Sequence, residues 1–356
     1  MINIFDVTDF GAVGDGKTDS TVAIQSALDK AGEVKGEVVV PPGKYLCGDL
    51  QVPSSITLRG THGWGYGDIG GSVLILKDDC KACLLNVTGA HGSKLLGLQL
   101  LGENKGEGIH GICLKWELYN GNGATFFDGN SETTAFHEDS LVIEDCQVRD
   151  FSGNGIHLDH VFAFTLRNTH ACHNRGSGVY IDGWDGWISN SIFSSNGDYG
   201  IKGVNATASI TFTGNRIEWN NMGGFYFELG NTIAINSNHF DRNMGPAIHL
   251  PETAERVDCV ISGNIFWRNG KPRKQPFENP YLSAHIYMGR CEKFLISNNV
   301  MKVGCDDGGG GTVSPDYGVV IHSCKNCIVK DNIAIDGVVK EKVHAENNVN
   351  CLIDVL

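Results

Sequence analysis

The sequence predicts an all-β solenoid closed at its N-terminal end by one short helix. Three observations carry that prediction: a repeat of 22 to 24 residues from about residue 140 onward, asparagine at fixed places in the repeat, and glycine at 47 of 356 positions against only 9 prolines. A repeat that short holds neither a four-stranded blade nor a helical pair, but it suits one coil of three short strands joined by turns. Glycine at roughly twice its usual ~7% share, without matching proline, fits many tight turns rather than a low-complexity tract.

Residues 19–31 open the fold. DSTVAIQSALDKA places Val22, Ala23, Ala27, Leu28 and Ala31 on one helical face behind an Asp19 or Ser20 cap. A helix here covers the open end of the solenoid, whose first coil would otherwise expose strand edges and core. EVVVPPGKYLCGDLQV, SSITLRG and SVLILK then read as the strands of the first coils.

The regular coils align as GIHLDHV (155–161), GVYIDGW (178–184), GIKGVNA (200–206), GFYFELG (224–230), AIHLPET (247–253), HIYMGRC (285–291) and GVVIHSC (318–324), with starts 23, 22, 24, 23, 38 and 33 residues apart. One asparagine column runs through Asn168, Asn190, Asn215, Asn238, Asn264, Asn299 and Asn332, and another through Asn174, Asn196, Asn220, Asn243 and Asn269. Asparagine tolerates left-handed backbone angles and can bond to its equivalent one coil away. The two long periods predict surface loops, GKPRKQPFENPYLS and GCDDGGGGTVSPD, and loops on solenoids usually sit on the functional face. One domain over 1–356 is expected, with a cap at 1–35, first coils and an irregular insertion at 36–135, regular coils at 136–340 and a C-terminal end at 341–356.

Composition excludes several classes. With 41% hydrophobic and 19% charged residues the chain is neither disordered nor long enough in any apolar run to cross a membrane as a helix. A net charge of −13 has the wrong sign for neutralising phosphates, which argues against nucleic acid. MINIFDVTDF lacks the basic and apolar regions of a signal peptide, so the expectation is a reducing cytosol or a leader already removed; the localisation stays open. Among the 12 cysteines, Cys80/Cys83 and Cys324/Cys327 form CxxC pairs, but the solenoid puts them near opposite ends, against a shared zinc site. Cys259, Phe294 and Cys327 each precede a ladder asparagine by five residues, so cysteine occupies a core position and most thiols should be free and buried.

Gly11 to Thr18, GAVGDGKT, fits the phosphate-binding pattern G-x-x-x-x-G-K-T, but nothing after residue 31 alternates strand and helix as a nucleotide-binding sheet requires. FDVTDFGAVGDGKTDSTVAIQSALDKA followed by GEVVVPPGKY instead closely resembles the opening of pectate-lyase-like proteins, a superfamily that includes glycoside hydrolase family 28-related enzymes, alginate epimerase modules and phage tailspikes. The resemblance implies a right-handed parallel β-helix and a structural role for the Asp, Gly and Lys residues of this stretch. It does not choose a chemistry, since hydrolases, lyases, epimerases and non-catalytic spikes share it. The NTD…DD…GHG…RIK series of polygalacturonase-like hydrolases and the DPHE of alginate epimerases are absent.

Alternate residues of each aligned strand face opposite sides. Ile156, Leu158, Val179, Ile181, Phe225, Phe227, Ile248, Leu250, Ile286 and Met288 point inward. The outward residues form two columns: Cys113, His157, Tyr180, Lys202, Tyr226, His249, Tyr287 and Val320; then Lys115, Asp159, Asp182, Val204, Glu228, Pro251, Gly289 and His322, with Arg290 beside them. Rings and polar groups in a long shallow line suit a sugar chain, so the expected partner is a poly- or oligosaccharide; polar ladders also decorate inert β-helices.

Asp159, Asp182 and Glu228 are the candidate catalytic acids. Rungs lie about 4.8 Å apart, which places Asp159 and Asp182 at roughly 5 Å, as in a retaining glycosidase, and Asp182 and Glu228 near 9.5 Å, as in an inverting one. Adjacent Asp159 and Asp182 should raise one another's proton affinity. Lys202 would hold a substrate carboxylate or sulfate, or neutralise Asp182 and Glu228. His157, Tyr180, Tyr226, His249, Tyr287, Arg290, Lys115 and His322 would bind substrate.

Glycoside hydrolysis without a cofactor is the expected activity. A polyuronate lyase or C5-epimerase would instead use Lys202, His157, Tyr180 and Tyr226, with calcium an option at the acids. A non-catalytic glycan-binding or tailspike-like module is the other class. Asp306 and Asp307 could also bind calcium, although an exposed glycine-rich turn explains them as well.

Overall fold

The computed structural model describes residues 3–67, 70–115, 138–205, 207–253, 256–271, 275–310 and 312–355. Much of the irregular insertion expected before residue 135 lies outside them. The strands pair in parallel and stack into three ladders. A front ladder runs from Leu50–Gln51 through Cys83–Asn86, His110–Leu114, Tyr199–Gly203, Gly223–Phe227, Ile248–Leu250, Ala284–Gly289 and Tyr317–His322 to Glu341–Glu346. A side ladder runs from Ile4–Asp6 to Leu352–Val355. A back ladder of short strands runs from Asp15–Asp19 to Val300–Lys302. Two long strands, Ile156–Arg167 and Val179–Ser189, turn the corner and belong to both front and side ladders.

The inward residues named from the sequence are all buried, from Ile156 and Leu158 to Ile286 and Met288, each 3% exposed or less. Phe212, Phe225, Phe227, Phe240 and Phe266 fill the middle coils with ring centroids 5.0 to 5.9 Å apart. Burying each such side chain contributes about 1.5–3 kcal/mol.

The second asparagine column forms a continuous ladder at one turn. Asn196 Oδ1 accepts from the backbone N and Nδ2 of Asn174 (3.2 and 3.0 Å), while its own Nδ2 donates to Asn220 Oδ1 (3.0 Å) and Ala171 O (3.2 Å). Asn220, Asn243 and Asn269 continue it. The first column does the same through Asn215, Asn238, Asn264, Asn299 and Asn332, but two of its expected members fall out. Asn168 and Asn190 are left-handed corner residues, and the bonding position one residue on is held by Thr169 and Ser191, whose hydroxyls take the asparagine's place.

The cap helix spans Thr21–Val34 and buries Ile24, Ala27, Leu28 and Ala31. Val22, expected inside, is 80% exposed; Ile24 takes the inward position instead. Asp19 Oδ1 accepts from Thr21 N at 2.8 Å. In the preceding turn Asp15 Oδ1 takes the N–H groups of Lys17 and Thr18 at 2.8 Å, so the chain's own carboxylate uses donors that a phosphate would need.

Ten cysteines are free, eight of them buried, and burial pushes the Cys146 thiol up to about 12. The exception is Cys83–Cys113, a disulfide between neighbouring front strands. Cys113, expected in the outward column, is fully buried there. The two long loops also divide. Asn279 to Leu282 pack over the front face, whereas Asp307 pairs with Arg242 and Arg268 beside the back ladder. Asp306 Oδ1 accepts from Gly310 N at 2.8 Å within its own exposed turn.

Candidate active site

The first column pairs as its spacing predicted, although Cys113, Tyr287 and Val320, expected to face outward, are buried, and the second column pairs at only some of its rungs. Cys113, His157, Tyr180, Lys202, Tyr226, His249, Tyr287 and Val320 pair rung to rung, and Asp159 pairs with Asp182. Side-chain packing then divides the face into an open centre and a covered end.

At the centre, the pairing of Ile156–Arg167 with Val179–Ser189 slips by one residue after Asp159 and resumes at Val161 and Gly183. The extra residue is His160, with φ +59°. A bulge leaves one residue unpaired and re-aims its side chain. Gly183 faces it, because a Cβ at that position would overlap the Val161 carbonyl oxygen. His160 Nδ1 consequently lies 2.8 Å from Asp159 Oδ1 and 3.8 Å from Asp182 Oδ2. One donor atom from each of the three side chains falls within 4.8 Å of the other two, so the group could also hold a divalent cation.

Asp182, expected to face solvent, is only 2% exposed and accepts from Asn205 Nδ2 at 2.8 Å. A buried carboxylate needs such a donor, and Asn205 supplies it from the next coil. The sequence reading did not single out His160. Its signal was there in a coil one residue longer than the next, 23 against 22, with Asp-His at the strand end.

Beside this centre, His157 stacks between His110 and Tyr180 at 4.4 Å on each side, nearly parallel to Tyr180. Its Nδ1 meets Asn154 Nδ2 at 2.9 Å. Burial, then His110 and Lys115, push His157 down to about 3, so at neutral pH it offers an uncharged ring. Lys202 does not neutralise Asp182 and Glu228: its Nζ pairs with Asp198 at 3.0 Å and lies over the Tyr199 and Tyr226 rings. Glu228 stands two rungs beyond Asp182, past the buried Val204, and its backbone carbonyl accepts from Arg256. Arg256, 1% exposed, also donates to the Phe227 and Gly289 carbonyls and holds the strand end in place.

The C-terminal end of the face is covered. His249 Nδ1 meets Tyr199 OH at 2.9 Å, and burial pushes His249 down to about 4. Tyr287 is 5% exposed, packed with Ala284, Val320, Tyr281, Leu282 and Tyr317. Its hydroxyl donates to Glu252 Oε1 at 2.7 Å, and His322 Nδ1 lies 3.3 Å from Glu252 Oε2. Burial and Glu252 raise the Tyr287 phenol well above its ordinary value. Arg290 leaves the face altogether: it is exposed at a corner with φ +50°, lining a pocket with Glu292, Ser323 and Lys325. Lys115 follows Leu114, which pairs with Leu158, and so flanks Asp159 by its place in the ladder. The structure thus gathers Asp159, Asp182, His157 and Tyr180, separates them from Tyr287 and His322, and adds His160, Asn205, Asp198 and Glu252.

Residues 123–299 match a family described as right handed beta helix region, and residues 4–66 match one described as rhamnogalacturonase A/epimerase, pectate lyase-like. The chain is 26% identical over 321 residues, 82% of its length, to a capsule K30/K69-specific depolymerase of Klebsiella phage K64-1. It is 24% identical over 275 residues, 75% of its length, to the mannuronan C5-epimerase AlgE2 of Azotobacter vinelandii. It spans only 37% and 25% of those two proteins. Among solved structures, the A-module of the Azotobacter vinelandii mannuronan C-5 epimerase AlgE6 superposes with a TM-score of 0.66 at 19% identity, covering 98% of this chain and 99% of that one. The enzymatically active domain of bacteriophage CBA120 tailspike protein 2 gives 0.70 at 17% identity, covering 90% and 48%. At those identities the superpositions bear on the fold alone. The regular coils and the N-terminal cap thus each match a family model, and the chain folds as a right-handed parallel β-helix similar to the pectate-lyase-like proteins.

Proposed function

We propose that the protein is a carbohydrate-active enzyme that cleaves a polysaccharide by glycoside hydrolysis on its front face, with Asp159 and Asp182 as the working carboxylates. One observation carries the reading: two carboxylates on adjacent rungs, with His160 bonded to one and facing the other, every donor atom within 4.8 Å of the next. Carboxyl groups about 5–5.5 Å apart suit a retaining mechanism, in which one protonates the glycosidic oxygen and the other attacks or stabilises the anomeric carbon. His157 and Tyr180 present ring faces and edges to the sugar beside them.

A second reading is favoured by the same histidine. An imidazole oriented by Asp159 is also the arrangement of a general base, which a uronate lyase or C5-epimerase would use to remove the proton beside a carboxyl group. Several of the related proteins are mannuronan C5-epimerases, and one is a phage depolymerase. A panel of plant, algal and bacterial glycans separates the readings. New reducing ends without unsaturated-uronate absorbance support hydrolysis. Absorbance supports a lyase, and neither signal favours an epimerase or a non-catalytic module.

A further inference from the structure

Past Asp159 and Asp182 the two long strands turn the corner onto the side ladder at Ala163 and Asp185, both left-handed, with φ +55° and +57°. The corner holds an open pocket of about 430 Å³. Phe162 and Trp187 give it aromatic walls, and Trp187 is 55% exposed on a surface where large rings are usually covered. Glu138, Ser140, Thr165 and Asp185 supply carboxylates and hydroxyls around the rings. Asp185 lies three residues from Asp182 on the same strand, within ~10 Å along the chain.

We propose that this corner pocket is a binding subsite for one uncharged pyranose residue of the glycan acted on at Asp159 and Asp182. The inference rests on the proposed function and deepens it. An aromatic wall stacks on the apolar face of a sugar ring, while carboxylates and hydroxyls at its rim accept from and donate to the ring hydroxyls. The volume lies within the range of small-ligand pockets. The charge sets the class. Among the described residues the lining holds two carboxylates and no lysine or arginine. A uronate carboxylate would meet like charge there without a cation to pair with, at a cost that grows as water is excluded. A neutral sugar avoids that cost. The glycan on this reading runs across the coil from the front face onto the side ladder, and at this position it differs from a polyuronate.

The test uses the whole chain carrying Asp182→Asn, so that substrate persists. Tryptophan fluorescence is titrated with gluco-, galacto- and manno-configured neutral hexasaccharides and, separately, with hexamannuronate, and each titration is repeated after adding Trp187→Ala. The expected result is that at least one neutral hexasaccharide perturbs the fluorescence, and that Trp187→Ala removes the perturbation and, by isothermal titration calorimetry, weakens binding roughly threefold to tenfold. In the otherwise wild-type enzyme, Trp187→Ala should raise KM and leave kcat close to its original value. Trp187→Phe should restore most of the affinity, since a smaller ring keeps the wall. Thermal melting checks that the variants fold; the side chain is exposed, so little should change. The proposal is overturned if no neutral hexasaccharide perturbs Trp187, if Trp187→Ala leaves their binding unchanged, or if hexamannuronate binds through Trp187 more tightly than they do. Failure of the proposed function looks different: Asp182→Asn would retain turnover while the Trp187-dependent binding persisted.

Discussion

Asp182 and Glu252 are both carboxylates held against the front ladder, yet their surroundings differ. Asp182 is buried beneath a bulge, takes a hydrogen bond from Asn205, and faces the half-exposed His160 and the part-exposed Asp159. Glu252 is tied to Tyr287 and His322, and Tyr281 and Leu282 lie over that end. At one end the acid is buried and the histidine beside it is open; at the other Glu252 is itself 44% exposed, and the cover falls on the Tyr287 ring that it holds. A ladder of rings and charges is therefore not in itself a site. The bulge and the absence of a cover distinguish the centre among the described residues.

That contrast breaks if the two carboxylates respond alike. Asp182→Asn should lower turnover by a factor on the order of 10² or more, the usual worth of a general acid or base. The amide preserves shape, so melting temperature should move little, and a large drop there would make Asp182 a structural residue. Glu252→Gln is expected to keep turnover near that of the original protein and to cost about 1 kcal/mol through the Tyr287 and His322 contacts. Equal kinetic losses from the two variants would merge the ends into one long site.

Acid sharpens the comparison next, because each half holds a neutral histidine. His157 and His249 sit near 3 and 4, chiefly through burial. The unfolded chain protonates them below about pH 6.5, while the folded chain resists until much lower pH. The unfolded state thus binds more protons in that window, and stability, complete above it, is lost as pH falls, at up to about 1.4 kcal/mol per unit for each ring. Denaturant titrations across the window should show this slope, flatter in His157→Gln and in His249→Gln; unchanged slopes would mean these rings already protonate in the native protein. Tyr281→Ala, like Glu252→Gln, is expected to act on stability alone. It uncovers Tyr287 and costs about 1 kcal/mol or somewhat more for a half-buried ring, with no change in turnover. Altered turnover would extend the working surface to the covered end.

Period and alternation revealed the coils, the inward stripe and the rung-to-rung columns, because a solenoid repeats the same local chemistry. The exceptions arise where something non-repeating intervenes. His160 escaped notice because a bulge is an interruption of alternation rather than an instance of it. Lys202 was aimed at Asp182 and Glu228, but Asp198, four residues earlier at the turn, reaches it first. Tyr287 and Arg290 were placed on the open face by register alone. Register could not foresee a loop of non-repeating sequence folding over the tyrosine, or a left-handed residue turning the arginine away. Cys113 is similar: an outward position became interior, with Cys83 bonded to it.

The two files of buried asparagine carry a consequence for descent. Asn220 bonds to Asn196 on one side and Asn243 on the other, and to no asparagine farther along the stack. A unit that answers only to its immediate neighbours can be duplicated or deleted whole, because the seam it leaves is chemically the same as the one it replaced. The length of the stack can then change by whole coils, while the coil containing His160, whose bulge is not repeated on the front ladder among the described residues, cannot be exchanged for its neighbours in the same way.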